Sequence, residues 1–464
     1  MESLVALKSQ FNFVKAYSLV SSRDTLSNGF QLVGAQDRVG FLRDPNGPGY
    51  IYLSNAEDDY AIARIRFDEF MNPIEGDWVL NSGVDDFARQ CSGTMWEADI
   101  HGGAQDLYLS ASERFHYDVK GIDPYMTTAT PTADFGLDAL GEFAWENAVP
   151  LPKDAYSGKT VIVGGGDDSS GSEGQVTLYY SEAGDADLTG GKIYVLRLKQ
   201  VSDGANGVMD ALPSTIYNES GLDFQATYDV EFVEIENGAA LTKDEMEDAN
   251  VGVFATAFMR VEDVDYQKGT DAMARNVFFA VTGRGLGRGT YNDWGTVYKL
   301  ELDEGSPLSG KLTQIISGNT DTNNADGNLA SLQSPDNICV TENFIYTQED
   351  SNSFDRGHSA CIYQSDLNGN NSRVVLEFIV RAYLDPSGST GFSGEYGALT
   401  DISDKIGEPN AFILNLQPHY WQSDDFKNVD GHDWETKTGL TGDLANGRED
   451  DQGGQIVLLR GLPR

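Results

Sequence analysis

Basic residues are scarce in this 464-residue chain: 32 Lys and Arg stand against 73 Asp and Glu, a formal charge of −41. Binding nucleic acid through its phosphates needs clustered Lys and Arg, so that class is excluded, and electrostatic attachment to anionic membranes with it. Long apolar runs are missing too; none approaches the ~20 residues that span a bilayer. The opening MESLVALKSQFNFVKAYSLV lacks the basic-then-apolar order of a signal peptide. There are only three cysteines, Cys91, Cys339 and Cys361. The odd count leaves at least one free, and no CxxC spacing points to zinc. Cys339 and Cys361 sit in apolar, strand-like runs that suit buried, inert thiols. The five histidines include no HExxH pair, and no GxSxG elbow supports a serine triad. TGRGLGRG from Thr282 and VGGGDDSSGSEG from Val163 lack the Lys-Ser/Thr ending of a phosphate-binding loop.

What is present is a large apolar fraction, 40%, dealt out in short pieces. A β-branched or aromatic run, an acidic or glycine-rich loop and a second run recur along the chain. The first runs are Tyr50–Ser54, Asp106–Ser110, Thr160–Val163, Val277–Thr282, Phe344–Thr347 and Ala411–Leu416. The second runs are AIARIRF, QVTLYY, GTVYKLEL, SACIYQSDLNGN and QIVLLRG. Six such units predict an all-β chain, a single six-bladed β-propeller over 1–464 with loop insertions and few short helices. A two-domain sandwich is the alternative. The best helix candidate is LTKDEMEDANVGVFATAFMR from Leu241, with acids early as the helix dipole prefers. Polar insertions fall at Asp167–Gly174, Asn319–Asn328 and Trp421–Asp451. SDLNGNNS from Ser365 lacks the glycine and terminal glutamate of an EF-hand and reads as a hairpin turn. Trp96, Trp145, Trp294 and Trp421 read as packing residues.

Loops that follow equivalent strands of a propeller open at the same end. Those loops carry Asn55, Glu57 and Asp58; Glu113; Asp167 and Asp168; Arg284; Glu349 and Asp350; and Gln417 with His419. So many acids converge only if cations neutralise them. Oxygen donors of this kind suit Ca²⁺ or Mg²⁺, and a thiolate or imidazole admits iron. The alternative is that they are ordinary exposed turns, where Asp, Asn and Gly are common.

Several segments resemble the PhoX-type alkaline phosphatases and their secreted relatives. They are RQCSG at Arg89–Gly93, DLYLSASE at Asp106–Glu113, GEFAWENA at Gly141–Ala148, RVEDVD at Arg260–Asp265, SPDNICV at Ser334–Val340, QEDS at Gln348–Ser351 and NLQPH at Asn415–His419. The resemblance implies a six-bladed propeller in which iron and calcium organise hydrolysis of a small-molecule phosphate ester, in an extracellular or periplasmic protein. It makes Cys91 the candidate iron thiolate and Glu113, Glu146, Glu262 and Glu349 candidate carboxylate ligands. Asp168, Asp263, Asp336, Asn337 and Asp350 are candidates for calcium or for the surrounding shell. RVEDVD and SPDN correspond to turns of the family. This chain departs from the pattern at Arg114, where relatives often have a second glutamate, at Val261 in place of proline, and at Ala56 in place of histidine. Arg284 and Arg288 are the candidate phosphate clamps, and Cys91, Glu113 and Arg284 the candidate catalytic residues. A calcium-stabilised, non-catalytic propeller that binds a protein partner is the second expectation; a calcium-dependent lactonase or esterase is the third.

Overall fold

A computed structural model describes residues 1–57, 59–84, 89–114, 116–129, 134–168, 172–283, 294–318, 332–350, 358–381, 383–384, 394–432 and 451–464. Antiparallel strands dominate the described residues, arranged like a propeller. The first sheet is a meander of Gln36–Arg43, Tyr50–Ala56, Ala61–Phe67 and Pro73–Leu80; the second joins Arg89–Trp96, Leu107–Arg114 and Val119–Ile122. A third blade sheet runs Pro335–Val340, Phe344–Glu349, Cys361–Asp366 and Arg373–Phe378, with Val5–Leu7 on its outer edge. The fourth runs Glu395–Asp401, Ala411–Gln417 and Gln455–Arg460, with Lys15–Ser21 outside.

Between the second and third blade sheets lies one nine-stranded sheet instead of two separate blades. It contains the meander Trp145–Pro150, Thr160–Gly166, Val176–Ser181 and Lys192–Leu198, and the meander Val261–Tyr266, Asn276–Val281, Thr296–Asp303 and Ser306–Ser317. Thr227–Glu234 pairs with the outer strand of both and ties them into one sheet. Its two edge strands, 145–150 and 261–266, pack against each other, so the sheet nearly closes on itself.

The innermost strands form a ring. Strand 36–43 packs beside 89–96, then follow 145–150, 261–266, 335–340 and 395–401, which returns to 36–43. Apolar side chains gather between neighbouring sheets rather than on the axis. Val39, Tyr52 and Ile65 meet Phe412 and Leu414 in one such core; Phe278 and Val297 meet Ile338 and Tyr363 in another. Trp96, Trp145 and Trp421 are buried there as expected, and Trp294 is half-buried. The apolar runs of the sequence are the second and third strands, clothed on both faces by these cores.

The helix expected near Leu241 spans Lys243–Gly252, started by a capping box between Thr242 and Glu245. It stops well short of the expected run: Phe254 takes a φ of 58° and the chain re-enters sheet pairing at Ala257 and Phe258. SDLNGNNS is a hairpin turn, its Asp366 carboxylate accepting the N–H groups of Asn368 and Asn370. RVEDVD and SPDNICV are buried strands, not turns.

Candidate functional site

All six inner strands lose regular pairing near their first residues. The breaks fall at Gln36/Val39, Gln90/Gly93, Trp145/Asn147, Val261/Val264, Pro335/Ile338 and Glu395/Ala398. A bulge unpairs a residue and re-aims its side chain. At these breaks stand Asp37, Cys91, Glu146, Glu262, Asp336 and Glu395, and the breaks present them toward the axis at one end of the ring.

There the chain encloses a cavity of about 560 Å³. Ten acids line it: Asp37, Glu57, Glu113, Glu146, Asp167, Asp168, Glu262, Asp336, Asp350 and Glu395. Four cations answer them: Arg89, Arg114, Lys243 and Arg260. Arg89 reaches Glu57 at 2.7 Å and Glu113 at 3.2 Å; Arg260 reaches Asp167 at 2.7 Å and Glu262 at 2.8 Å; Lys243 holds Asp168 at 2.6 Å. Among the described residues, Asp37, Glu146, Asp336 and Glu395 make no salt bridge to Lys or Arg.

The electrostatic consequence is a set of carboxyls that resist ionisation. Burial pushes Asp37, Glu146, Asp336 and Glu395 well above the usual carboxylate range, and repulsion from neighbouring acids pushes them further. Burial does the same to Glu262, with Arg260 opposing. Two pairs share a hydrogen bond between carboxyl groups, Glu395 with Asp336 and Asp167 with Glu113. Burial raises the Cys91 thiol well above its ordinary value, helped by Glu113, Glu146 and Glu57, while Arg89 pulls the other way.

These groups fit multivalent cations, which would ionise the acids by replacing their shared protons. Donor atoms of Glu57, Cys91 and Glu113 lie within 4.8 Å of one another, a mixed sulfur and oxygen set suited to iron. Glu113, Glu146 and Asp167 make an all-oxygen set of the same span, and Asp350, Glu395 and His419 a third with one imidazole. Oxygen sets of this kind suit calcium. His419 is fixed by Gln452 at Nδ1, 3.0 Å, and Glu395 at Nε2, 3.1 Å.

Of the residues singled out from sequence, Glu113, Glu146, Asp168, Glu262, Asp336 and Asp350 line the cavity, and Cys91 lies against it beside Glu57 and Glu113. Three do not. Asp263 bonds Arg38, the Asn147 amide and, at 3.0 Å, the Ile338 N–H, so it ties four inner strands together. Burial raises it to about 6 against the pull of Arg38. Asn337 donates to Asp336 at 2.9 Å and orients that carboxyl rather than lining the cavity. Glu349 is fully buried behind the cavity wall and accepts the N–H groups of Gln333 and Cys361. Arg284 and Arg288 lie outside the described residues.

Asp37 and Glu395 carried no sequence motif, and Arg89 and Arg260 sat inside motifs without a role. The one available signal was an isolated acid near the start of a short strand, repeated around the ring. Lys243 could be found only through the helix that begins with it.

No protein-family model matches the chain, and no curated protein matches it. Among solved structures, a putative glycoside hydrolase from Bacteroides ovatus aligns at 12% identity and a TM-score of 0.32 over 98% of this chain and 96% of its own. An alpha-L-arabinofuranosidase from Podospora anserina, in complex with cellotriose, aligns at 8% and 0.32 over 78% of this chain and 94% of its own. A post-proline cleaving enzyme from Rickettsia typhi aligns at 8% and 0.27 over 82% of this chain and 41% of its own. Scores this low carry no argument, and the function is argued from the chain itself.

Proposed function

We propose that the chain is a metal-dependent phosphate ester hydrolase on a six-bladed propeller, with iron and calcium at its axis. The blade count takes the nine-stranded sheet as two four-stranded blades bridged on the outside by Thr227–Glu234. The observation that carries the reading is the buried thiol of Cys91 beside a cavity of ten acids and only four cations. Glu57, Cys91 and Glu113 would hold the iron; Glu146, Asp167, Asp336, Asp350 and Glu395 would hold calcium. Bound metal would polarise the phosphoryl oxygens and stabilise the charge that spreads over them in the transition state.

The remaining roles belong to the chain. Arg89 and Arg260 are spent on carboxylates and fix their orientation. Arg114, on the cavity lining with a side chain 42% exposed and 3.7 Å from Glu113, suits a phosphate oxygen. Lys243 also lines the cavity, held by Asp168. A cavity of about 560 Å³ suits a small ester.

The test is hydrolysis of a chromogenic phosphate ester, with metal analysis of the same protein. Iron and calcium should co-purify, and Cys91→Ala should lower kcat/KM by at least about 100-fold, since outer-shell changes at metal centres already cost 10–100-fold. Full turnover by Cys91→Ala, or by metal-stripped protein, would overturn the reading. Arg89 favours a second one: by pairing with both Glu57 and Glu113 it weakens the iron set, which suits a non-catalytic, calcium-stabilised propeller. Calcium without iron, and no turnover, would decide for it.

A further inference from the structure

We propose that Glu349, His358 and Cys361 form a second metal site, of the zinc class, outside the axial cavity. Strands Phe344–Glu349 and Cys361–Asp366 are paired neighbours, so the carboxylate ending one strand and the thiol opening the next arrive at the same sheet end. His358 stands three residues before Cys361 and turns its ring onto them. Donor atoms of the three lie within 4.8 Å of one another. Zinc bonds of 2.0–2.3 Å set tetrahedral ligands about 3.3–3.8 Å apart, so a small inward shift closes the set.

The donors differ in kind from those on the axis. Imidazole, thiolate and carboxylate together suit a borderline-soft dication, whereas calcium takes oxygen alone. The charges also balance: a thiolate and a carboxylate neutralise a dication, leaving no net charge to bury. Part of the site is already rigid. Glu349 Oε1 accepts the Gln333 N–H and Oε2 the Cys361 N–H, each at 2.8 Å, so the carboxylate cannot swing. His358 Nε2 lies 3.2 and 3.0 Å from the two carboxylate oxygens, with its side chain 25% exposed, which gives an ion a way in. The Cys361 Sγ rests 3.3 Å from the Ser359 carbonyl oxygen, a weak contact that coordination would replace. Three protein ligands leave one position for water. A metal here would clip together the two strand ends flanking the 350–360 connection, which begins with the cavity residue Asp350.

The competing account is a latch in which His358 simply donates to Glu349. Cobalt(II), a spectroscopic stand-in for zinc, separates the two in calcium-loaded, chelator-treated protein. In the Cys91→Ser background, which removes the axial thiolate, the site requires one equivalent of cobalt with thiolate-to-metal absorption, lost when Cys361→Ser is added. His358→Ala should weaken that binding at least about tenfold. Zinc should raise the Tm of Cys91→Ser, but not of the double variant Cys91→Ser with His358→Ala. The His358 side chain is a quarter exposed, so its variant decides the matter even if Cys361→Ser fails to fold. Absence of the band from Cys91→Ser, or its survival when Cys361→Ser is added to that variant, would overturn the proposal. Hydrolytic activity is not a readout, so the axial reading can fail without touching this one.

Discussion

Glu219 shows what burial does to one carboxyl group that no cation answers. It is 5% exposed, with the Tyr298 hydroxyl donating at 2.9 Å and the Met259 N–H at 3.2 Å. Burial lifts it from its ordinary 4.5 to about 7, and the two hydrogen bonds oppose the lift without cancelling it. The folded state therefore holds this proton at pH values where the unfolded chain has released it. The stability gained is complete below about 4.5 and is lost as pH rises to about 7. Over that interval the loss reaches about 3 kcal/mol at most. Glu219→Gln keeps the Met259 N–H on its amide oxygen, turns its amide N–H to the Tyr298 hydroxyl oxygen and cannot ionise, so urea unfolding should show that component removed and the variant the more stable protein at about pH 8. An unchanged pH profile would mean the group is charged in the native state. Asp263, as deeply buried, has Arg38, the Ile338 N–H and the Asn147 amide against the lift, and burial carries it from its ordinary 3.8 to about 6. Single residues of this kind were half legible in the sequence. Cys91, Glu146 and Asp336 stood in recognisable segments, while nothing local marked Asp37 or Glu395, whose meaning comes from the ring they join.

The strands show why. Tyr50–Ala56 and Ala411–Gln417 are apolar on both faces because blades cover both, and their hydrophobic runs announced them. The inner strands QDRVGFLR, WENAVP, VEDVDY and PDNICV are as buried but carry the acids; none stood among the apolar runs, and RVEDVD and SPDN were matched to turns of the family. Their hydrogen-bonding partners are distant in sequence, beyond any local pattern. The closure of the ring is also invisible locally. Gly397 is where strand 395–401 meets strand 36–43: a Cβ there would lie 2.0 Å from the Gln36 carbonyl oxygen and 2.6 Å from the Asp37 Cα. Both obstacles are backbone, so neither can swing aside. Gly397→Ala should therefore cost about 1–3 kcal/mol in urea unfolding. Because it shifts the strand that opens with Glu395, the affinity of the proposed calcium site should fall with it. A variant as stable as the wild type would mean that the two strands separate at little cost.

At the scale of the whole molecule, the fold is closed by its beginning: Lys15–Ser21 completes the sheet of Gln455–Arg460, and Val5–Leu7 edges the sheet of Arg373–Phe378. That closure holds acidic residues from every part of the chain on one axis, in a molecule already at −41. Two stabilities with opposite pH dependence follow. Without metal, Asp37, Glu146, Glu262, Asp336 and Glu395 all have folded values raised above their unfolded ones. Their contribution is full below about pH 4 and is lost as pH rises through the folded values. On the proposed reading calcium would bind only the ionised carboxylates, so its stabilisation would grow over the same range, reaching about 2.7 kcal/mol at a hundredfold excess over Kd. Thermal unfolding in chelator should thus show Tm falling from about pH 5 to about pH 8, with calcium reducing or reversing the slope. Asp336→Asn should flatten the chelator curve and lessen the calcium response together, because one carboxyl serves both. Equal calcium stabilisation at the two ends of that range would show that these acids are not its ligands.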